Sequence, residues 1–217
     1  MIIVGLTGGL GTGKSTVTNL FRELGAYIID WDELARRATR PRSKAWKEIT
    51  EHFGTGILDD DLTINRRRLA RIVFFDKTKL AKLNKIVHPE VFKEDQRITD
   101  EIAGHDPDAI IVKDIPLLFE VGLHMSVDKI VVVTASEQTR LRRLKEKGIS
   151  RQDARSRMKC QLPLEDKIKS ADLVIDNDGS LEETRRQVEN LYSLLRSKGK
   201  HGTQKVRERR SLKTNCG

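Results

Sequence analysis

The sequence predicts an α/β fold in which a five-stranded parallel sheet is flanked by helices, with a helical insertion and a lid. Two observations carry that prediction. Short apolar runs of strand length alternate with longer amphipathic stretches, as expected of parallel strands joined by crossover helices. A glycine-rich turn separates the first apolar run from the first helical stretch, where an anion-binding loop would stand.

Residues 2–6, Ile-Ile-Val-Gly-Leu, read as a strand buried on both faces. Residues 15–24 follow as a helix closed by Gly25, and 26–29 as a second strand. Three further strands are expected at 109–112, 129–133 and 173–175, and helices at 137–147 and 181–196. Between strands two and three, helical patterning covers 31–39, 43–53, 66–75 and 77–102, which defines the insertion at about 31–105. No internal repeat is visible.

The chain has 217 residues, with 37% hydrophobic and 34% charged, enough apolar content for one packed domain with an appendage. No apolar run approaches the roughly 20 residues of a membrane-spanning helix. The apolar start of the chain lacks the basic flank of a secretion signal. Cys160 and Cys216 have neither disulfide-framework nor zinc-ligand spacing, so a reducing cytoplasm is the expected setting. The net charge of +9 is mostly terminal, since eight Lys and Arg stand against Glu208 alone from Arg196 onward. The domain is therefore expected to end near 197. Residues 198–217 read as a basic, disordered, solubilising tail, and nucleic-acid contact is expected nowhere else.

Gly8-Gly9-Leu10-Gly11-Thr12-Gly13-Lys14-Ser15 fits the phosphate-binding pattern G-x-x-x-x-G-K-[ST] and continues into Thr16. Glycines let backbone N–H groups approach phosphate oxygens, and the helix N-terminus adds its positive end. Gly11, Thr12, Gly13, Lys14, Ser15 and Thr16 are thus the candidate ATP-binding residues. Lys14 would hold the β- and γ-phosphates, Ser15 would ligate Mg²⁺, and Thr16 would place a hydroxyl near the α-phosphate.

What happens to the γ-phosphate is decided by other residues. The guanine signature N-K-x-D is absent, because Asn84-Lys85 continues into Ile86-Val87, and no transporter signature occurs. A small-molecule kinase fits best, and such an enzyme needs a group to orient or deprotonate the acceptor hydroxyl. Asp30-Trp31-Asp32 follows the second strand, whose C-terminal end shares the ligand-facing edge of the sheet with the phosphate loop. Asp32 is the candidate base. Either aspartate could instead be the N-cap of the next helix.

With these residues in place, the sequence resembles the dephospho-CoA kinase family over essentially its whole body. The resemblance runs from Leu6-Thr7-Gly8-Gly9 through Gly25 to Ile29-Asp30-Trp31-Asp32, then His52-Phe53-Gly54 and Asn65-Arg66-Arg67-Arg68-Leu69. It continues through His88-Pro89, Ile115-Pro116-Leu117-Leu118-Phe119-Glu120, Gln161-Leu162-Pro163 and Ala171-Asp172-Leu173-Val174-Ile175-Asp176-Asn177. It implies a P-loop kinase fold with a helical insertion that binds the CoA substrate, and a lid. The implied reaction is ATP-dependent phosphorylation of the ribose 3′-hydroxyl of dephospho-CoA, giving CoA and ADP, the last step of coenzyme A biosynthesis. Asp32 matches the family's proposed base, and His88 falls near its acceptor substrate.

Pro89 should bend its helix and so aim His88, which a purely structural histidine would also allow. Arg66, Arg67 and Arg68 cannot all face one pocket, and Arg66 is the choice for a substrate phosphate. Asp114 ends the third strand and could meet Mg²⁺ directly, through water or from a surrounding shell. The lid is expected at about 140–160. Arg143 and Arg157 are its candidate ATP contacts, although Lys145-Glu146-Lys147 departs from the family's usual Arg-Asp or Arg-Asn pair before the lid turn. Pro116 to Glu120 reads as an apolar wall with one carboxylate. A kinase for another nucleoside or nucleotide, and an ATP-sensing module with a nucleic-acid-binding tail, are the alternatives. A monomer or weak homo-oligomer is expected.

Overall fold

A computed structural model describes residues 1–73, 76–159 and 161–213, without the side chains of Lys77 and 198–213. Phe74, Phe75, Cys160 and 214–217, including Cys216, lie outside the described residues. The chain divides into two compact units, Met1–Ile29 with Ile102–Gly217, and Asp30–Glu101.

In the first unit, β1 (Ile2–Gly8) leads into α1 (Lys14–Glu23) and β2 (Tyr27–Asp30). After the second unit come β3 (Ile110–Asp114), β4 (Lys129–Thr134) and β5 (Leu173–Asp176). The sheet order is β2-β3-β1-β4-β5, and β1 pairs in parallel with both β3 and β4. Val4 and Leu6 of this central strand are fully buried. They join Val17, Phe21, Val112 and Val133 in the core, each such side chain worth about 1.5–3 kcal/mol. The register sets Leu6 opposite Asp114 and Gly8 opposite Val133, so the ends of β1 and β3 meet at one edge.

α1 buries Val17, Leu20 and Phe21, one stripe at helical spacing. It ends because Gly25 takes φ +94°, a left-handed conformation that costs glycine little. Gly25 N–H then donates to Arg22 O and Ala26 N–H to Phe21 O, which satisfies the last carbonyls and turns the chain into β2.

The second unit contains α2 (Trp31–Ala38), α3 (Lys44–Phe53), α4 (Arg66–Val73) and most of α5 (Lys77–His105). Ala45, Ile49, Ile57, Leu69, Val73 and Ile86 form its own core. α5 runs continuously through Pro89, one helix over the stretch expected at 77–102. Proline removes a single helical hydrogen bond there, and the buried anchors Ile86 and Val91 on either side hold the helix together.

α6 (Glu137–Glu146), α7 (Arg151–Met158) and α8 (Leu164–Lys169) occupy the region expected as a lid and its exit. α8 was not expected. It is short and has only Leu164 as a buried apolar anchor, its other buried residue being Lys167. α9 (Leu181–Lys213) extends past residue 197, where the domain was expected to end. Its Lys, Arg and Gln residues prolong a helix once nucleated. Among the described residues, no helix is long and apolar enough to cross a membrane.

Candidate active site

The glycine-rich turn connects the end of the central strand β1 to α1. Gly13 is the N-cap of α1 at φ 82° and ψ 29°. Added there, a Cβ would collide with the amide nitrogen of Asn177 and come within 3.2 Å of Arg143 Nη1. Glycine is therefore required by both backbone and space. Thr12 is buried and folds the loop back on itself, its N–H and its Oγ1 both donating to Gly9 O at 3.2 and 2.9 Å. Thr16 N–H donates to Gly13 O at 2.9 Å, which closes the first helical turn. Ser15 is exposed on that turn, where its hydroxyl is open to solvent.

Lys14 forms an ion pair with Asp114, and the two side chains are only 18% and 10% exposed. Thr18, one turn further along α1, donates from Oγ1 to the other Asp114 oxygen at 2.7 Å. Sequence reasoning placed Lys14 and Asp114 separately on the nucleotide and the metal. It missed their contact and missed Thr18, although the i to i+4 spacing of Lys14 and Thr18 puts both on one face of α1.

Four side chains outside the motif hold the loop from behind. Arg140 Nε donates to Leu10 O at 3.0 Å, while Leu10 N–H donates to Gln161 Oε1 at 3.2 Å. Burial pushes the Arg140 guanidinium below its usual pKa, against the pull of Glu165 and Glu137. Asn177 Nδ2 donates to Thr12 O at 2.7 Å. Arg143 fits beside it, giving Nη1 to Thr12 O at 3.1 Å and Nη2 to Asn177 O at 2.8 Å. Arg157 is exposed on α7 and has no ion pair among the described residues.

The apolar wall expected at Pro116 to Glu120 has a polar anchor. Fully buried Lys167 places Nζ 2.8 Å from Glu120 Oε1, and Glu120 also accepts from Leu162 N–H at 2.9 Å.

In the second unit, Asp30 is the N-cap of α2, its Oδ1 accepting from Glu33 N–H at 3.0 Å. That settles the capping alternative in favour of Asp30. Asp32 is exposed on the first turn of α2, without a hydrogen bond or ion pair among the described residues. Arg66 opens α4. Although surface-exposed, its guanidinium has its pKa lowered by the surrounding protein and by Arg36, while Asp32 and Glu33 oppose that shift. Arg68 is used structurally, donating from Nη1 to Leu58 O at 2.6 Å. His88 is partly buried, and this desolvation lowers its pKa. Its ring stands edge-on to Phe92, 6.1 Å between centroids, and Phe92 is in turn edge-on to Trp31 at 5.3 Å. Trp31 Nε1 donates to Asp95 at 3.1 Å.

A central parallel strand feeding a glycine loop, with a lysine and a hydroxyl on the first turn of the following helix, defines a P-loop kinase fold. The sequence pattern of the dephospho-CoA kinase family matches residues 2–183. The chain belongs to that family. It is 43% identical to the dephospho-CoA kinase of Syntrophus aciditrophicus over 91% of this chain and 85% of that protein. With the dephospho-CoA kinase of Aquifex aeolicus it shares 43% identity over 88% of this chain and 96% of that one. The crystal structure of TT1252 from Thermus thermophilus superposes with a TM-score of 0.77 at 35% identity, covering 89% of this chain and 97% of the other.

Proposed function

We propose that this protein transfers the γ-phosphoryl group of ATP to the ribose 3′-hydroxyl of dephospho-CoA, releasing CoA and ADP. The observation that carries this reading is the family match across residues 2–183, which includes both the phosphate loop and the helical unit. The loop N–H groups and the N-terminal end of α1 receive the phosphates of ATP, and Lys14 follows the charge that shifts during transfer. Asp32 accepts the proton of the attacking hydroxyl. Arg66 and His88 orient the acceptor, and Arg157 closes over the phosphates to exclude water.

Mg²⁺ fits the donor set on this chain. Among the described residues no three His, Cys, Asp or Glu cluster as a self-sufficient metal site. A kinase Mg²⁺ instead takes most of its oxygens from phosphate and water, leaving the protein to supply a hydroxyl and a nearby carboxylate, here Ser15 and Asp114. When bound, the ion neutralises charge on the β- and γ-phosphates. Asp114 meanwhile holds Lys14 and Thr18. A cytoplasmic setting belongs to the same proposal.

The test is ADP formation from ATP and Mg²⁺, with and without dephospho-CoA, beside adenosine and AMP, with the product identified by mass. Stimulation by dephospho-CoA with one added phosphate is expected. Turnover only on another acceptor would overturn the substrate, and silence with every acceptor would overturn the kinase reading.

A further inference from the structure

We propose that Asn177 is a positioning residue for the phosphate loop, its side-chain amide fixing the Thr12–Gly13 peptide so that the Gly13 N–H faces the phosphates of ATP. The proposal rests on the kinase reading above and extends it to a residue outside the phosphate-binding motif.

The argument begins with the geometry of a peptide unit. In a trans peptide the carbonyl and the following N–H point in opposite directions. Thr12 O is directed at Asn177 Nδ2 and Arg143 Nη1, so the N–H of Gly13 is directed away from both. Among the described residues, that N–H donates to no protein oxygen. Two donors saturate the two lone pairs of the Thr12 carbonyl. This holds the carbonyl's negative end away from the phosphate side, where it would repel the ligand.

Asn177 is itself fixed. It is 4% exposed at the end of β5, and its N–H donates to Thr134 O at 2.9 Å. Its Oδ1 accepts from the hydroxyl of fully buried Thr184 at 2.8 Å. The amide can have only one orientation, because a flipped group would set two acceptors, Oδ1 and Thr12 O, face to face. No other side chain at this end of β5 could substitute. Asp176 and Asp178 carry no donor, and a carboxylate here would add negative charge behind a loop built to receive an anion.

The experiment measures equilibrium binding of Mg²⁺–ATP by calorimetry and steady-state kinetics with dephospho-CoA on the full chain. It compares wild type with Asn177→Ala, Asn177→Asp and Thr184→Val, each followed also by thermal unfolding. Asn177→Ala should raise the Kd and KM for ATP about tenfold, the equivalent of one lost hydrogen bond to the loop. Asn177→Asp should raise them further, while the KM for dephospho-CoA stays within about twofold, a split that general loosening of the fold would not produce. Thr184→Val keeps a full-sized amide but removes the donor that anchors its Oδ1, and should raise the ATP Kd about threefold. An unchanged ATP Kd in a folded Asn177 variant overturns the proposal, as does an equal rise in both substrate KM values. If neither Asn177 variant folds, an unchanged ATP Kd in Thr184→Val overturns it. Failure of the wild type to bind ATP overturns the kinase reading and this inference together, whereas normal wild-type turnover with unaffected variants overturns this inference alone.

Discussion

Thr18 and Asp114 are joined by a 2.7 Å hydrogen bond, and the second oxygen of the same carboxylate holds the Lys14 ammonium. The lysine proposed to receive phosphate is thus already aimed from the loop toward the end of β3, and in that role phosphate would compete with Asp114 for it. Removing Lys14 alone leaves a nearly buried carboxylate supported, among the described residues, only by the Thr18 hydroxyl. Lys14→Met is expected to lose about 1–3 kcal/mol of stability, a buried-pair penalty reduced for residual exposure. Its turnover should fall at least about a hundredfold. The double variant Lys14→Met/Asp114→Asn should regain most of the stability and none of the turnover, as read by urea unfolding and ADP release.

Asp32→Asn preserves size and polarity but cannot accept the proton. ATP affinity should stay within about twofold, and kcat should fall by about 10²–10⁴, the usual contribution of a general base. A near-normal kcat would remove Asp32 from that role.

Lys167 is completely buried, and its partner Glu120 is 21% exposed. Breaking the pair from the acidic side leaves a buried ammonium with, among the described residues, only Pro116 O, 3.3 Å away. Glu120→Ala should cost about 3–5 kcal/mol by chemical denaturation, somewhat less if water reaches the site. Glu120→Leu/Lys167→Met should restore most of that loss. If Glu120→Ala is as stable as wild type, the pair contributes nothing.

The lowered pKa of His88 has a definite sign for stability. Between its folded value and the unfolded value near 6.5, the unfolded chain binds more protons, so stability falls as pH drops through that window. His88→Gln should flatten the decline in unfolding free energy between about pH 7 and pH 5. A decline as steep as that of wild type would assign it to other groups.

Much of the fold was legible because its signals are local. Ile2 to Leu6 is apolar without interruption, as a strand covered on both faces must be, and Gly25 marks the end of α1. Asp32 could be singled out by position alone, but its separation from the capping role required seeing Asp30 accept from Glu33 N–H. The carbonyl clamps could not be read at all. Asn177 and Arg140 meet the loop through backbone oxygens, which every residue possesses, so nothing in the residues of the loop announces the partner. Pro89 shows the limit of an intrinsic signal, because the buried anchors Ile86 and Val91, which keep α5 one helix around it, act only once the unit has packed.

The place of β1 in the middle of the sheet has a consequence for how motion is distributed. Its amides are hydrogen-bonded between β3 and β4 and covered on both faces, so their exchange with solvent deuterium requires the largest opening the first unit can undergo. The phosphate loop is grafted directly onto that slowest-exchanging backbone, while the Gly13 amide just beyond it is left to the ligand. Nucleotide should therefore slow deuterium uptake sharply at 11–16 and hardly at all at 2–6. Ligand-linked protection would then end within a few residues of the loop and leave the sheet as it is.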